Sequence, residues 1–229
     1  MTDFAYPLLV YLHLLLFVLW LGADVGVFVL GQHFRKRHIY SLPERLTLLK
    51  LLVTIDMVPR SAWALMVPVS LTLVKAGGWW ADAPLWLVGG AWVVGTIWLW
   101  LVWDAHTHDQ TPRAARDRRI EGWLRYALTA FYLWLGGISL LTGSPLGPDW
   151  LAGKALLFGL IFAAAIMIDV AFKPVGPQLM RLLAEGSSDA TELPLRATMD
   201  RTRIWVWAVY LLLVATSLLC VLGTKGLIG

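Results

Sequence analysis

Six ionisable side chains, His13, Asp24, Asp56, Arg60, Lys154 and Asp169, interrupt stretches of sequence that are otherwise apolar. If those stretches lie in hydrocarbon, each such group costs a few kcal/mol to place there, so it faces protein or a water-filled cavity and marks a candidate site. His13, Phe17, Trp20 and Asp24 follow one another at intervals of four, three and four residues, which sets them along one face of a helix. Asp56 and Arg60 are an i,i+4 pair around Pro59, and the plain reading is an internal ion pair on a helix that proline kinks. Lys154 lies about one turn into a later apolar stretch, where its long stem can carry the ammonium back to the surface or supply a cation to an anionic ligand.

Histidine is the common axial ligand of haem iron, paired with a second histidine or with methionine. Of the five histidines only His13 is deep within an apolar stretch, so one copy of the chain cannot build a bis-histidine site at mid-membrane. Met66, at comparable depth, is the candidate sixth ligand, and a five-coordinate iron is the other possibility. Asp104-Ala-His106-Thr-His108-Asp109 is the other cluster with ligand chemistry. An HxH pair on a helix, however, points its rings to different faces, and a solvated helix end accounts for it. A single cysteine, Cys220, excludes an intrachain disulfide and a CxxC redox pair. No phosphate-binding glycine loop, dinucleotide fingerprint, HExxH helix or nucleophile elbow is present, so nucleotide hydrolysis, hydride transfer and peptidase chemistry find no support.

The elements that must hold these residues are set by hydropathy. In 229 residues the apolar fraction is 59% and the mean hydropathy +0.68, which points to a bilayer rather than water as the solvent. Six apolar segments, at about 5–31, 48–74, 84–104, 122–142, 150–172 and 204–223, are each long enough to cross about 30 Å of hydrocarbon as helix. The expected fold is therefore all-α, one polytopic transmembrane domain over residues 1–229. The first segment is longer than the core of a signal peptide and lacks a basic leader, which reads as a retained helix. Lys173-Pro-Val-Gly-Pro177 stops the fifth segment, Gln178–Glu185 has the pattern of a short surface helix, and Leu193–Arg203 that of a helical approach to the last span.

Charge sets the expected orientation. Arg35, Lys36, Arg37, Arg45 and Lys50, then Arg113, Arg116, Arg118, Arg119 and Arg125, then Lys173, Arg181, Arg196, Arg201 and Arg203 make up 15 of the 19 basic residues, all in alternate connections or at their helix ends. Basic residues are retained on the cytoplasmic side, which puts both termini outside, on the periplasmic side if the membrane is an inner membrane. The same distribution accounts for the net charge of +4 without nucleic acid as a partner. Most of the 14 tryptophans fall near span ends, where indole anchors at the headgroups, whereas Trp20, Trp63 and Trp134 lie deeper and have the shape to pack on a flat cofactor.

The stretch Tyr11-Leu-His-Leu-Leu-Leu-Phe-Val-Leu-Trp-Leu-Gly-Ala-Asp-Val-Gly-Val-Phe28 resembles the first helix of the CopD/HemJ-like superfamily of bacterial membrane proteins. His13, Trp20 and Gly22 match that superfamily's pattern of a histidine about seven residues before Trp and then small residues. Trp150-Leu-Ala-Gly-Lys154 is similar to the opening of a later helix in its HemJ type. The resemblance covers roughly 30 residues. It implies haem b, with His13 as the iron ligand and Lys154 as a functional cation, to which Arg60 adds a second cation for the propionates. The chain departs from the HemJ type in having six spans rather than about four and in lacking an Asn-Glu-Pro-like segment. Three readings follow: a haem-b-binding redox or electron-transfer protein in the lipid bilayer, a transporter of copper or another small solute using Asp24, Asp56, Arg60 and Asp169, and a non-catalytic subunit or homo-oligomer whose polar faces bury against partner helices.

The orientation is open to a direct check. Single cysteines at Gly78 and Gly147 are expected to react with an impermeant thiol reagent from outside the cell, and cysteines at Arg116 and Ser187 only after permeabilisation. Labelling of Ser187 from the periplasm contradicts the assignment.

Overall fold

The computed structural model describes residues 4–227, which are helical almost throughout, with no strand among them. The helices are α1 (Ala5–Phe34), α2 (Leu42–Ala76), α3 (Leu85–Thr107), α4 (Pro112–Thr142), α5 (Asp149–Phe172), α6 (Val175–Glu185) and α7 (Asp189–Thr224). Six segments are long and apolar enough to cross a membrane, formed by α1, α2, α3, α4, α5 continuing into the short α6, and α7. The chain is an all-α multi-pass membrane bundle. Its helices group into two compact units, one up to Leu124 and one from Arg125 onward.

In the first unit, α1 and α2 form an antiparallel hairpin closed by charge and capping. Ser41 and Glu44 make a reciprocal capping box at the start of α2, with Pro43 in the first turn where its missing N–H is not needed. Arg45, buried despite its charge, donates from Nε to the Phe34 carbonyl at 2.6 Å and lies 4.9 Å over the Phe34 ring. A cation thus satisfies the carbonyl end of α1, where the helix dipole is negative.

α2 runs unbroken through Pro59 and Pro68. Pro68 has no N–H, so the Ala64 carbonyl one turn earlier loses its usual helix donor. α3 comes closest at this level. A Cβ built on Gly95 would stand 2.8 Å from Pro68 Cγ and 3.1 Å from the Ala64 carbonyl oxygen, so only glycine lets the α3 backbone seat there. On either side of that contact an indole N–H of α3 reaches a hydroxyl of α2: Trp92 to Thr72 and Trp103 to Ser61, each at 3.0 Å. α3 turns into α4 through a second charged corner. Arg113 clamps Asp104 through Nε and Nη2 at 2.6 and 2.5 Å, and Arg118 holds both Asp109 and the Ala105 carbonyl. The Arg118 guanidinium keeps the Asp109 carboxyl below its ordinary range.

In the second unit, α4 and α5 meet backbone to backbone. A Cβ on Gly136 would overlap the Leu156 backbone nitrogen, and one on Gly159 would come within 2.9 Å of the Leu133 backbone nitrogen, so each helix offers a glycine to the other. At the start of α5 the Trp150 ring lies over Gly223 of α7. Beyond the membrane-length helices, α6 follows α5 after a two-residue break and packs Val175 and Leu182 inward, while Ser188 and Thr191 cap the start of α7.

Gly136→Ala is expected to be the most damaging single methyl addition in the chain, because its neighbour is a backbone that cannot change rotamer. Gly95→Ala is expected to cost about 1–3 kcal/mol as overpacking against the rigid Pro68 ring. Gly137→Ala, with nothing within 4 Å of its Cβ, is expected to be neutral. Thermal melts of the three variants in one detergent check the order.

Candidate functional site

The α1–α2 register is fixed by contacts along the hairpin. Tyr6 meets Trp79 edge-on, Trp20 meets Trp63, Gly26 faces Ile55 and Gly31 faces Leu52. Six of the eight residues singled out by sequence, His13, Trp20, Asp24, Asp56, Arg60 and Met66, therefore belong to one hairpin. That register carries His13 to the level of Ser70 and Met66 to the level of Phe17. The two candidate ligands are thus offset along the helices by about one turn, roughly 6 Å. His13 is half-buried, whereas Met66 is in the core of the unit. Lys154 and Asp169 stand on α5 in the other unit.

Asp56 and Arg60 form the expected ion pair, at 2.5 Å. The pair is nearer the rim than a wholly internal pair would be, since the Arg60 side chain is 46% exposed. The hairpin register also brings Asp24 to the level of Arg60, so two carboxylates and one guanidinium share one stratum of the membrane-length helices. Asp169 pairs with Arg125, whose side chain is largely buried. From sequence, Arg125 reads only as one of the basic residues at a helix end.

The middle of the unit is aromatic. Trp20 and Trp63 stack with centroids 5.5 Å apart and planes 26° from parallel, and Trp63 meets Trp98 of α3 edge-on at 5.2 Å. All three indoles are buried, Trp98 to 1% exposure. Trp98 Nε1 donates to Glu121 Oε1 of α4 at 3.3 Å, and Glu121 is itself buried. One face of Trp20 and Trp63 is thus taken up by the partner indole, and Trp134 is exposed on α4.

Sequence reasoning passed over Trp98 and Glu121. Glu121 lies one residue before the fourth apolar segment and so counts as a loop residue by hydropathy. Its signal is periodicity, since Ala114, Asp117 and Glu121 recur at helical spacing and are all buried. The Asp104–His108 cluster is an ion-paired helix end: Asp104 is clamped by Arg113, His108 Nδ1 lies 3.4 Å from the Asp104 carboxylate, and His106 packs edge-on against Trp103. Among the described residues no three His, Cys, Asp or Glu side chains are grouped so that they could hold a metal ion.

His13 offers an imidazole nitrogen on an apolar helix, the type of donor that haem iron takes. Arg60 is committed to Asp56 in the structure. The chain matches no protein-family model, no curated protein and no solved structure.

The shared stratum of Asp24, Asp56 and Arg60 makes a measurable demand. Removing Arg60 is expected to lower folded yield more than removing either acid, because it leaves two carboxylates at a poorly solvated level. A double-mutant cycle of Asp56→Asn and Arg60→Met is expected to show a coupling of about 0.5–3 kcal/mol. Additive effects would show that the two side chains do not act as a pair.

Proposed function

We infer that this chain is a haem-b-binding redox or electron-transfer protein of a bacterial inner membrane, with both termini periplasmic and His13 as the iron ligand in the outer half of the bilayer. The observation that carries the reading is the buried contact series Trp20–Trp63–Trp98, which begins two helical turns from His13 on the same face of α1 and crosses to α3. A redox centre at His13 needs a dry shell that tunes its potential and a low-polarity route for an electron, and the packed indoles offer both. When bound, haem supplies the one-electron chemistry. The chain holds the imidazole on a rigid helix, excludes water with aromatic rings, and keeps the charges of Asp24, Asp56 and Arg60 one stratum away.

A permeation pathway is the second reading, favoured by the presence of Asp24, Asp56 and Arg60 at one level of the bundle. The two separate cleanly in a spectrum. Protein purified after haem-replete growth is expected to show a Soret band that His13→Ala abolishes or strongly shifts while the variant still inserts. His33→Ala, His38→Ala, His106→Ala and His108→Ala are expected to retain the band. Met66→Leu reports the sixth ligand, since loss of a thioether changes spin state or lowers the potential. Wild-type protein without Soret absorption ends the haem reading and leaves transport or a subunit role.

A further inference from the structure

The aromatic series ends on an acid, and that ending has chemical meaning. An indole that loses one electron becomes a radical cation whose N–H is a strong acid, so its fate depends on what the N–H touches. For Trp98 it is the carboxylate of Glu121, 3.3 Å away and buried, within the range from which a positioned base takes a proton once the contact tightens. Trp20 and Trp63 have ring neighbours at contact distance, at 5.5 and 5.2 Å, leading toward Trp98.

We propose that Trp20, Trp63 and Trp98 form a hole relay that terminates in proton-coupled oxidation of Trp98, with Glu121 as the proton acceptor. A high-potential, metal-centred one-electron oxidant on the Trp20 side removes one electron from Trp20. Trp63 refills Trp20, and Trp98 refills Trp63. The Nε1–H bond of Trp98 breaks and its proton joins a Glu121 carboxylate oxygen, leaving a neutral Trp98 radical beside a carboxylic acid. A one-electron donor returns the electron, and the proton goes back to Nε1. Proton transfer makes the last step a sink, because the hole can no longer return to Trp63 without the proton. The relay deepens the redox reading of the His13 face, but its parts are protein side chains alone.

The test uses the full-length chain with Cys220→Ser and a lipophilic ruthenium polypyridyl photo-oxidant, attached in detergent at Leu19→Cys, a lipid-facing position next to Trp20, before reconstitution into nanodiscs. Flash oxidation in the presence of a sacrificial acceptor is followed by transient absorption, which separates the neutral tryptophanyl radical from the cation. The expected product in this background is the neutral radical. Trp98→Phe is expected to remove it and leave a shorter-lived cation, and Glu121→Gln to leave the cation on an intact indole. Only cation in the parent protein, or neutral radical at parental yield in either variant, overturns the proposal; the parental product decides even if a variant does not fold. Repeating the flash on His13→Ala protein separates the two readings, since the relay is expected to survive there whether or not a Soret band was present to lose.

Discussion

Within a bilayer, apolar side chains gain little by leaving lipid for one another, so helices are held by how closely their backbones approach and by the polar groups that such closeness brings together. Gly136 and Gly159 meet this demand reciprocally between α4 and α5, each seating against the other helix's backbone. That contact fixes the sliding position of α5 along α4. The ion pair between Arg125 and Asp169, several turns away, follows from it. Gly95 has the same role against α2. With the α3 backbone locked at Pro68, the Trp92–Thr72 and Trp103–Ser61 hydrogen bonds fall into register above and below, and Trp98 is brought to Trp63.

Polar groups then have to be satisfied locally, because hydrocarbon offers them nothing. The hydroxyls of Ser61 and Thr72 donate to the carbonyls of Met57 and Pro68 while accepting from indoles of α3, so each is used in both directions. Lys75 turns its ammonium onto the Ala81 and Ala83 carbonyls and thereby closes the turn before α3, which explains a lysine on the sparsely charged side of the bundle. At the opposite ends, Arg45 binds the Phe34 carbonyl that ends α1, and Arg113 the Asp104 carboxylate in the last turn of α3. These basic residues thus also close the hairpins in which they lie.

The spans were legible in the sequence because hydropathy over twenty residues is a direct report on the solvent. Helix ends were less so. α2 begins at Leu42 rather than near 48, α4 at Pro112 rather than near 122, and α7 at Asp189 rather than near 193, because a helix continues past the hydrocarbon as long as capping and ion pairs support it. Glu121 falls in the stretch that hydropathy leaves out. Asp56–Arg60 could be read from spacing within one helix. The pairing of Asp169 with Arg125, or of Asp104 with Arg113, depends on the register between helices. Between α4 and α5 that register is set by glycine contacts whose partners no spacing reveals.

The order of groups along the α1 face bears on what can pass through this unit. His13 is separated from the level of Asp24, Asp56 and Arg60 by the stacked indoles of Trp20 and Trp63. An ion moving between those levels would have to shed its water against apolar rings, at a cost of several kcal/mol even after relaxation of the protein. An electron meets no such penalty, since it needs contact between π systems rather than a wet path. That asymmetry between the transport of ions and of electrons through a dry aromatic layer is the physical ground for preferring redox chemistry on this face of the bundle.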